Sequence, residues 1–398
     1  MRFINWLKNK HGKNVKIRVV FPDFRTLLCL RRNIWAEGGM DSWLLAAVAV
    51  LLVFGLAFIY SSTREIGLRP YGDALFYFKR QLLWAGGGVV LAAFAARYFS
   101  SLFSGSRPLY FLAGVWALLI MPLFFEPVAH VHRWIRLGGL VLQPSAFAGP
   151  ALILFLALNL AGKKDRSGFS AFTFPLAATA ATLLLTGLGW DLGAIFVLSC
   201  TALFMLVAGG MRKRHLAVML SAVGLWMFFE LIRHPYRLSR IMAWFNSSAP
   251  LSAGYQTVMS RKFIFSGGLF GNFPSEKMTG LPAFHTDFAF AALAASLGWV
   301  AALITAGAMV FLVFRAARIA RNAAPRAEKL LAGGIAFYIG LKALLHLLKC
   351  LGFIPPNGIS FPLISYGGSD LVAVILMIGV LLYIPHSGCE EKGVGRIG

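Results

Sequence analysis

The sequence has 398 residues, of which 58% are hydrophobic and only 13% are charged. Its mean hydropathy of +0.73 excludes an ordinary water-soluble globular protein. Lys and Arg number 38 against 15 Asp and Glu, a formal net charge of +23. The basic residues stand in short clusters between apolar segments, so they build no continuous surface for nucleic acid. Anionic membrane lipids, or an anionic substrate at the membrane surface, fit this charge better.

Ten apolar segments approach the length of about 20 residues that a helix needs to cross a bilayer. They predict an all-α polytopic membrane protein, because unsatisfied backbone groups exclude open structures from lipid. The predicted spans are residues 42–61, 81–99, 109–125, 144–162, 172–188, 192–210, 216–232, 288–314, 330–348 and 371–385. In the second span, Gly86, Gly87 and Gly88 are expected to allow close helix packing.

The predicted organisation is a basic tail (1–41), one ten-helix membrane domain (42–385) and a short C-terminal tail (386–398). The first apolar run starts too late for a cleavable signal peptide, so it is expected to remain as an anchor. Lys and Arg concentrate in the N-terminal tail and in alternate loops, which marks that side as cytoplasmic. Both termini are therefore predicted to be cytoplasmic, and the longest loop, residues 233–287, to lie on the outer face.

This outer loop begins with cationic and aromatic side chains beside the bilayer. Arg237 and Arg240 stand near its start, and Tyr255 and Gln256 follow in the same loop. Such a patch is a candidate for holding phosphate groups. Interfacial anchoring by Tyr, Trp and Arg is the alternative that the composition leaves open.

The same loop ends at Asp287, directly before the eighth predicted span. Thr and Asp are favoured at helix N-caps, so capping by Thr286 or Asp287 is one interpretation. The other is catalytic, because a carboxylate near low dielectric, with His285 close by, can have the raised pKa that a general base needs.

Lys342, His346 and Lys349 follow at helical spacing in the ninth span and share one face of that helix. Lys349, at the outer end, can reach the interface. Lys342 lies about two turns deeper, roughly 10 Å by helical rise. An unpaired ammonium at depth costs about 2.5 to 3.5 kcal/mol, which favours a polar cavity around Lys342 over extension to the interface.

Residues 352–370 carry three prolines and four glycines, which prevent a continuous helix. Non-helical backbone at membrane depth must line a cavity or be buried in protein. The alternative is an ordinary outer loop in which Ser369 or Asp370 caps the tenth helix.

Taken together, these segments resemble the SEDS family (shape, elongation, division and sporulation), which includes FtsW and RodA. The resemblance covers nearly all ten spans and is most specific at residues 354–369 and at Pro282 with residues 285–288. Supporting matches are shorter and spread along the chain. They are residues 60–62, 78–82, 133–135, 143–145, 191–193, 236–240 and 254–256.

The resemblance implies a peptidoglycan glycosyltransferase that extends glycan strands from lipid II on the outer face of the bacterial inner membrane. A class B penicillin-binding protein is the partner it implies. Asp287 stands where the family has its proposed catalytic carboxylate. The side chains expected to bind substrate are Lys79, Arg80, Arg133, Gln143, Ser145, Arg237, Arg240, Tyr255, Gln256, His285, Thr286, Lys342, His346, Ser365 and Ser369. Cationic side chains among them, or a divalent cation such as Mg²⁺ or Mn²⁺, are candidates to stabilise the leaving diphosphate.

The sequence departs from the family pattern at several positions. Ala146 and Gly149 replace a Glu and a Lys, and Ala283 replaces a Glu after the loop proline. Losing both members of an ion pair is less damaging than losing one, because neither charge is left buried alone. Lys342 is a candidate to supply the missing cation.

Three functions remain open from the sequence. An active SEDS glycosyltransferase requires Asp287, whereas a non-catalytic scaffold that binds lipid II or a penicillin-binding protein tolerates its loss. A transporter of lipid-linked precursors would depend more on Lys342 and His346. The long basic N-terminal tail leans towards the division branch of the family over the elongation branch.

Overall fold

The structure, a computed structural model, describes residues 41–98, 105–127, 131–137, 140–162, 172–211, 253–271, 278 and 280–384, with eight single residues between 221 and 244. The predicted tails 1–41 and 386–398, except for Asp41, lie outside the described residues. So does most of the predicted seventh span.

The described part of the chain is mainly helical. Its helices are α1 (Ser42–Ser62), α2 (Arg64–Tyr71), α3 (Phe76–Arg97), α4 (Arg107–Ile120), α5 (Ser145–Ala161), α6 (Thr173–Leu188), α7 (Leu192–Ala208), α8 (Ala253–Ser266), α9 (Ala289–Asn322), α10 (Arg326–Cys350) and α11 (Gly368–Tyr383). A short 3₁₀ turn, Met121–Phe124, continues α4. Strands β1 (Ile135–Leu137) and β2 (Leu140–Leu142) form an antiparallel hairpin in which Arg136 faces Val141.

The helices confirm the predicted multi-pass membrane fold. Four are long and apolar enough to cross a bilayer: α1, α4 with its 3₁₀ turn, α9 and α10. Four shorter apolar helices, α5, α6, α7 and α11, coincide with further predicted spans. The sequence did not predict α2, α8 or the hairpin, because these lie in segments too polar or too short to register as spans.

Helix α5 forms the centre of the described bundle. It packs against α4, α6, α7, α10 and α11, and most of its side chains are buried. Outer helices instead present apolar side chains outwards, such as Leu83 (75% exposed) and Val90 (68% exposed) on α3. Exposure of such an apolar surface is favourable in lipid and unfavourable in water. The N-terminus of α5, at Ser145, therefore lies in the middle of the fold.

Helix α9 is longer than the predicted span and is broken at Gly298, whose φ of 85° and ψ of 175° are not helical. The break frees two amides, and both find acceptors in the segment that follows α8. Trp299 N–H donates to the Gly268 carbonyl (2.9 Å) and Val300 N–H to the Leu269 carbonyl (3.1 Å). This segment substitutes for the missing helical turn, which is how a break is tolerated at membrane depth.

The glycines of α3 differ in role. A Cβ on Gly88 would lie 3.1 Å from Ile375 of α11, so this glycine allows close packing as predicted. Gly86 and Gly87 have no neighbouring heavy atom within 4 Å at the same position. The packing prediction is therefore wrong for these two residues, which face away from the bundle.

Helix α8 lies against the C-terminal end of α10. Ser260 Oγ donates to the Cys350 carbonyl (2.8 Å) and Arg261 Nε to the Leu351 carbonyl (2.8 Å). Gly352 then turns the chain with a φ of 81°. A guanidinium at a helix C-terminus satisfies free carbonyls and complements the helix dipole, so α8 fixes where the loop after α10 begins.

Asp41 joins the start of α1 to the far end of α9. Its Oδ1 accepts from Leu44 N–H (3.0 Å) as a helix cap, and its Oδ2 accepts from Arg315 Nη2 (2.5 Å) and Nε (3.0 Å). Both side chains are largely buried. We expect Arg315→Met to lower the free energy of unfolding by about 1.5 to 3 kcal/mol, the usual worth of a charged hydrogen bond. Thermal unfolding in detergent measures this, with the exposed Arg318→Met as control, and equal melting temperatures for the two variants would contradict it.

Candidate functional site

A polar cavity of about 570 Å³ lies among α3, α5, α7, α10 and the non-helical segments before α9 and α11. Of the predicted site residues, eight line it. They are Arg80, Arg133, Gln143, Ser145, Thr286, Asp287, Lys342 and Ser369. The sequence motifs, which are far apart in the chain, therefore meet at one site.

One wall of the cavity is a hydrogen-bonded cluster around Asp191. The carboxylate Oδ2 accepts from Gln143 Nε2 (2.9 Å) and from Ser145 Oγ (2.8 Å), while Oδ1 caps α7 by accepting from Ala194 N–H (3.2 Å). Gln143 N–H in turn donates to Ser369 Oγ (2.8 Å). Because these side chains fix one another, they form a preorganised polar surface on which hydroxyl or amide groups of a ligand can be held.

A second polar group on the cavity is an ion pair between Lys342 of α10 and Asp370 of α11. The other carboxylate oxygen of Asp370 accepts from Ser360 Oγ (2.6 Å). The predicted polar cavity around Lys342 is thus present. Capping of α11 by Ser369 or Asp370 is wrong, because Gly367 is the N-cap and no side chain caps there.

Two arginines supply positive charge to the cavity. Arg80 extends from the first turns of α3, with its guanidinium 5.0 Å from the centre of the Phe76 ring. Arg133 is fixed by donating to the carbonyls of Gly189 (3.3 Å) and Trp190. Lys79 points elsewhere and pairs with Asp73 (2.8 Å), so it does not line the cavity. Arginines suit phosphate groups because their donors form a planar fork.

Asp287 sits in a tight turn directly before α9. The Ala283 carbonyl accepts from the amides of Thr286 (3.1 Å), Asp287 (2.8 Å) and Phe288 (3.3 Å). Ala283 itself has a φ of 54°, an uncommon conformation for a residue with a side chain. The N-cap position of α9 is Phe288, so neither Thr286 nor Asp287 occupies that position as the capping interpretation expected.

The segment before α11 holds this turn in place. Ser365 Oγ donates to the Thr286 carbonyl (2.8 Å), and Tyr366 N–H donates to the His285 carbonyl (2.8 Å). From the other side, Gln81 of α3 donates to the Ser365 carbonyl (3.1 Å). Ser365 is therefore a support of the Asp287 turn and does not itself line the cavity. The prediction that residues 352–370 are buried or line a cavity is confirmed for residues 358–370, whereas Phe353 is 65% exposed.

His346 and Lys349 lie behind the cavity and support its walls. His346 is fully buried; its Nε2 accepts from Phe290 N–H (3.3 Å), which leaves Nδ1 to donate to the Ile359 carbonyl (3.0 Å). Lys349 donates to the carbonyls of Asn357 (2.9 Å) and Ile359 (2.8 Å) and has no exposed surface. Lys349 was expected to reach the interface, and the structure shows that it does not. His346 was expected to bind substrate, but it is buried and does not line the cavity.

The end of α10 lies beside the turn that carries Asp287, since the Lys349 ammonium is 5.6 Å from the centre of the Phe288 ring. The helical spacing of Lys349 in the sequence could not show this proximity.

His285 belongs to the same turn as Asp287 and packs among aromatic rings from other segments. The centre of its ring is 5.4 Å from that of Tyr77 and 5.8 Å from that of Tyr366. Burial lowers the pKa of His285 to about 4. In the unfolded protein, histidine has a pKa near 6.5. Between about pH 6.5 and 4, His285 therefore binds a proton in the unfolded state but not in the folded state. The contribution of neutral His285 to the free energy of unfolding is complete above about pH 6.5 and is lost as the pH falls towards about 4.

We therefore expect the melting temperature to fall over this range, and less steeply in His285→Phe, which keeps a ring but cannot titrate. Thermal unfolding at a series of pH values in one detergent measures both slopes. Equal slopes for the two proteins would show that His285 does not carry the effect.

The remaining predicted site residues stand outside the cavity lining or outside the described residues. Tyr255 and Gln256 are half-buried on α8 and do not line the cavity. Arg237 and Arg240 lie outside the described residues, and their phosphate-binding role stays a prediction.

Sequence reasoning missed Asp191, Asp370 and Tyr338 as cavity residues. Each stands at the end of a span or inside one, so a helix-capping or packing role was sufficient to account for the residue in the sequence. Tyr338 also explains a departure from the family pattern. A Cβ added at Gly149 would lie 2.6 Å from the Tyr338 ring, so the ring leaves no room for a side chain at position 149.

The described carboxylates of the cavity do not form a metal cage. Asp191 and Asp370 already accept hydrogen bonds from protein groups, as described above. Within the described ranges, no three His, Cys, Asp or Glu side chains come together as metal ligands. The predicted divalent cation stays a prediction.

The sequence matches a family model for the FtsW, RodA and SpoVE cell cycle proteins over residues 42–389. A relative in Trichlorobacter lovleyi, named probable peptidoglycan glycosyltransferase FtsW, is 32% identical over 355 residues, which cover 86% of this chain and 92% of the relative. Stage V sporulation protein E of Bacillus subtilis is 31% identical over 363 residues, covering 86% and 96%.

Solved structures agree with this assignment. A chain from a peptidoglycan synthase complex, in which polymerisation and crosslinking are coordinated, superposes with a TM-score of 0.71 at 25% identity, covering 87% of this chain and 97% of that one. RodA of Thermus thermophilus, a rod shape determining protein, has the same fold, with a TM-score of 0.66, 24% identity, and coverage of 88% and 98%. The chain therefore belongs to the FtsW, RodA and SpoVE family of cell cycle proteins, which is the SEDS family that its motifs resemble.

Proposed function

We propose that this membrane protein is a peptidoglycan glycosyltransferase that polymerises lipid II, with Asp287 as general base. The observation that carries the proposal is the position of Asp287. It lies at the wall of a cavity that also presents Arg80, Arg133 and the Asp191 cluster. Homologues named as peptidoglycan glycosyltransferases support the reaction class.

The reaction needs a base, a way to orient two sugars and charge stabilisation for a diphosphate. Asp287 takes the proton from the acceptor sugar hydroxyl while the oxygen of that hydroxyl attacks the anomeric carbon of the lipid-linked donor. A new glycosidic bond forms, the bond from that carbon to the diphosphate oxygen breaks, and undecaprenyl diphosphate leaves with the electron pair. Arg80 and Arg133 stabilise the charge that develops on the leaving group.

The donor set around Asp191 suits the sugar part of the substrate. Gln143, Ser145 and Ser369 present paired donors and acceptors, which match hydroxyl and acetamido groups, while the arginines match phosphate. The presence of both kinds of group in one cavity supports a substrate that carries both sugar and diphosphate.

The protein is proposed to act at the outer face of the bacterial inner membrane, with both termini cytoplasmic. The basic loops of the sequence support this orientation through the positive-inside rule. A class B penicillin-binding protein is the proposed partner. The solved relative in a peptidoglycan synthase complex supports an assembly of this kind.

A non-catalytic scaffold is the second candidate, and Ala146, Gly149 and Ala283 favour it because they remove charges of the family pattern. The test is polymerisation of purified lipid II by the purified protein with its penicillin-binding partner, with the partner alone as control. Glycan chains made only when both are present would support the enzyme. Binding of lipid II without any polymer would support the scaffold.

A further inference from the structure

Lys342 and Asp370 form a buried charge pair that the proposed reaction does not use directly. The two side chains are 7% and 20% exposed and belong to neighbouring helices, α10 and α11. Both line the cavity. An ion pair in this setting costs desolvation of both groups, so its presence calls for a role beyond holding two helices together.

The pair is linked to the loop that precedes α11. Asp370 uses its second oxygen to accept from Ser360 Oγ (2.6 Å). Directly after Ser360, the amide of Phe361 donates to Ser365 Oγ (2.8 Å), and the Ser365 hydroxyl donates to the Thr286 carbonyl (2.8 Å). Thr286 is bonded directly to Asp287. A continuous series of contacts therefore runs from the charge pair to the candidate base.

We propose that Lys342 and Asp370 are a positioning pair that sets the place of Asp287 through Ser360 and Ser365. Lys342 orients Asp370 through the ion pair, Asp370 fixes Ser360, and the loop from Ser360 to Ser365 fixes the turn that carries the base. The proposal rests on the proposed function for its effect on catalysis, but its structural part can be tested without activity.

The critical comparison is between single and double variants. Asp370→Asn leaves the Lys342 charge buried without its partner, which destabilises the fold. Lys342→Met/Asp370→Leu removes both charges and replaces them with apolar groups, which restores stability in a buried site. The double variant still lacks the carboxylate that accepts the hydrogen bond from Ser360 Oγ. A purely structural pair would therefore regain full activity in the double variant, whereas a positioning pair would not.

For the double variant we expect a melting temperature close to that of the wild type, KM for lipid II within about threefold, and kcat lowered by about 10- to 100-fold, as displacement of a catalytic group costs. Ser360→Ala, which disturbs no charge, is expected to lower kcat in the same direction by a smaller factor. A double variant with wild-type kcat, or with a change in KM alone, would overturn the proposal.

Hydrogen–deuterium exchange gives a readout that does not need activity. In the double variant, exchange is expected to rise at residues 283–288 and 360–366 and to remain unchanged in α6, which packs against α4, α5 and α7. Unchanged exchange at residues 283–288 overturns the proposal. If the wild type makes no polymer but the exchange rises as expected, the proposed function fails while the positioning role of the pair stands.

Discussion

Asp287→Asn is expected to lower the rate of lipid II polymerisation by about 10²- to 10⁴-fold, the usual contribution of a positioned general base. The amide keeps the size of the side chain and can still accept a hydrogen bond, but it cannot take a proton from the acceptor hydroxyl. The turn around Asp287 is fixed by backbone bonds to the Ala283 carbonyl. We therefore expect the variant to fold and to bind lipid II as the wild type does.

The matched control is Asp73→Asn. Asp73 is a carboxylate outside the cavity lining, paired with Lys79, whose hydrogen bond lowers the pKa of Asp73. The same chemical change there is expected to leave the rate within about twofold of wild type, since exposed ion pairs contribute little. Initial rates and lipid II binding are measured for both variants. Near wild-type polymerisation by Asp287→Asn would remove this residue from the mechanism.

Gly267→Val is expected to prevent stable folding, the largest effect on stability that the structure predicts. A Cβ at Gly267 would overlap the backbone carbonyl of Ala294 in α9, and neither backbone can move aside. Overpacking commonly costs about 1 to 3 kcal/mol and sometimes more. Because this contact is between two backbones, we expect a cost of at least about 3 kcal/mol, seen as loss of the folded protein in detergent.

Gly87→Val provides the control, because a Cβ at Gly87 of α3 has no neighbour within 4 Å. Valine is also a better helix former than glycine, so this variant is expected to melt at or slightly above the wild-type temperature. Size-exclusion profiles and thermal unfolding distinguish the two variants. A monodisperse Gly267→Val protein with the wild-type melting temperature would contradict the packing argument.

The sequence was sufficient to predict the spans because each is an apolar run between polar segments. Nine of the ten predicted spans correspond to helices in the described part of the chain. The break of α9 was not predictable in the same way. Residues 295–298 contain no charge and no proline and are compatible with a helix. Only the Gly268 and Leu269 carbonyls, from another segment, make a break there favourable.

The candidate site was predictable where the chemistry was unusual for its surroundings. A lysine at the depth of Lys342 required a polar cavity, and the structure has one. Its partner could not be identified, since Asp370 at the start of an apolar span fits a helix cap equally well. Only tertiary structure brings α10 and α11 together, so the pairing is a property of the fold.

Lys349 shows the limit of arguments from depth. At the end of a span, a lysine usually extends to the interface, and the helix end alone gives no reason to expect otherwise. The loop after α10 folds back and offers the carbonyls of Asn357 and Ile359. Two hydrogen bonds to a returning loop replace the contact with water.

The break at Gly298 has a consequence for biosynthesis. If α9 entered the bilayer alone, the amides of Trp299 and Val300 would be left without acceptors in lipid. The carbonyls of Gly268 and Leu269 precede them in the chain, so they emerge from the ribosome before α9 is made. Co-translational insertion thus supplies the acceptors in time, whereas a circular permutant that places α9 first would have to insert it with those amides unpaired.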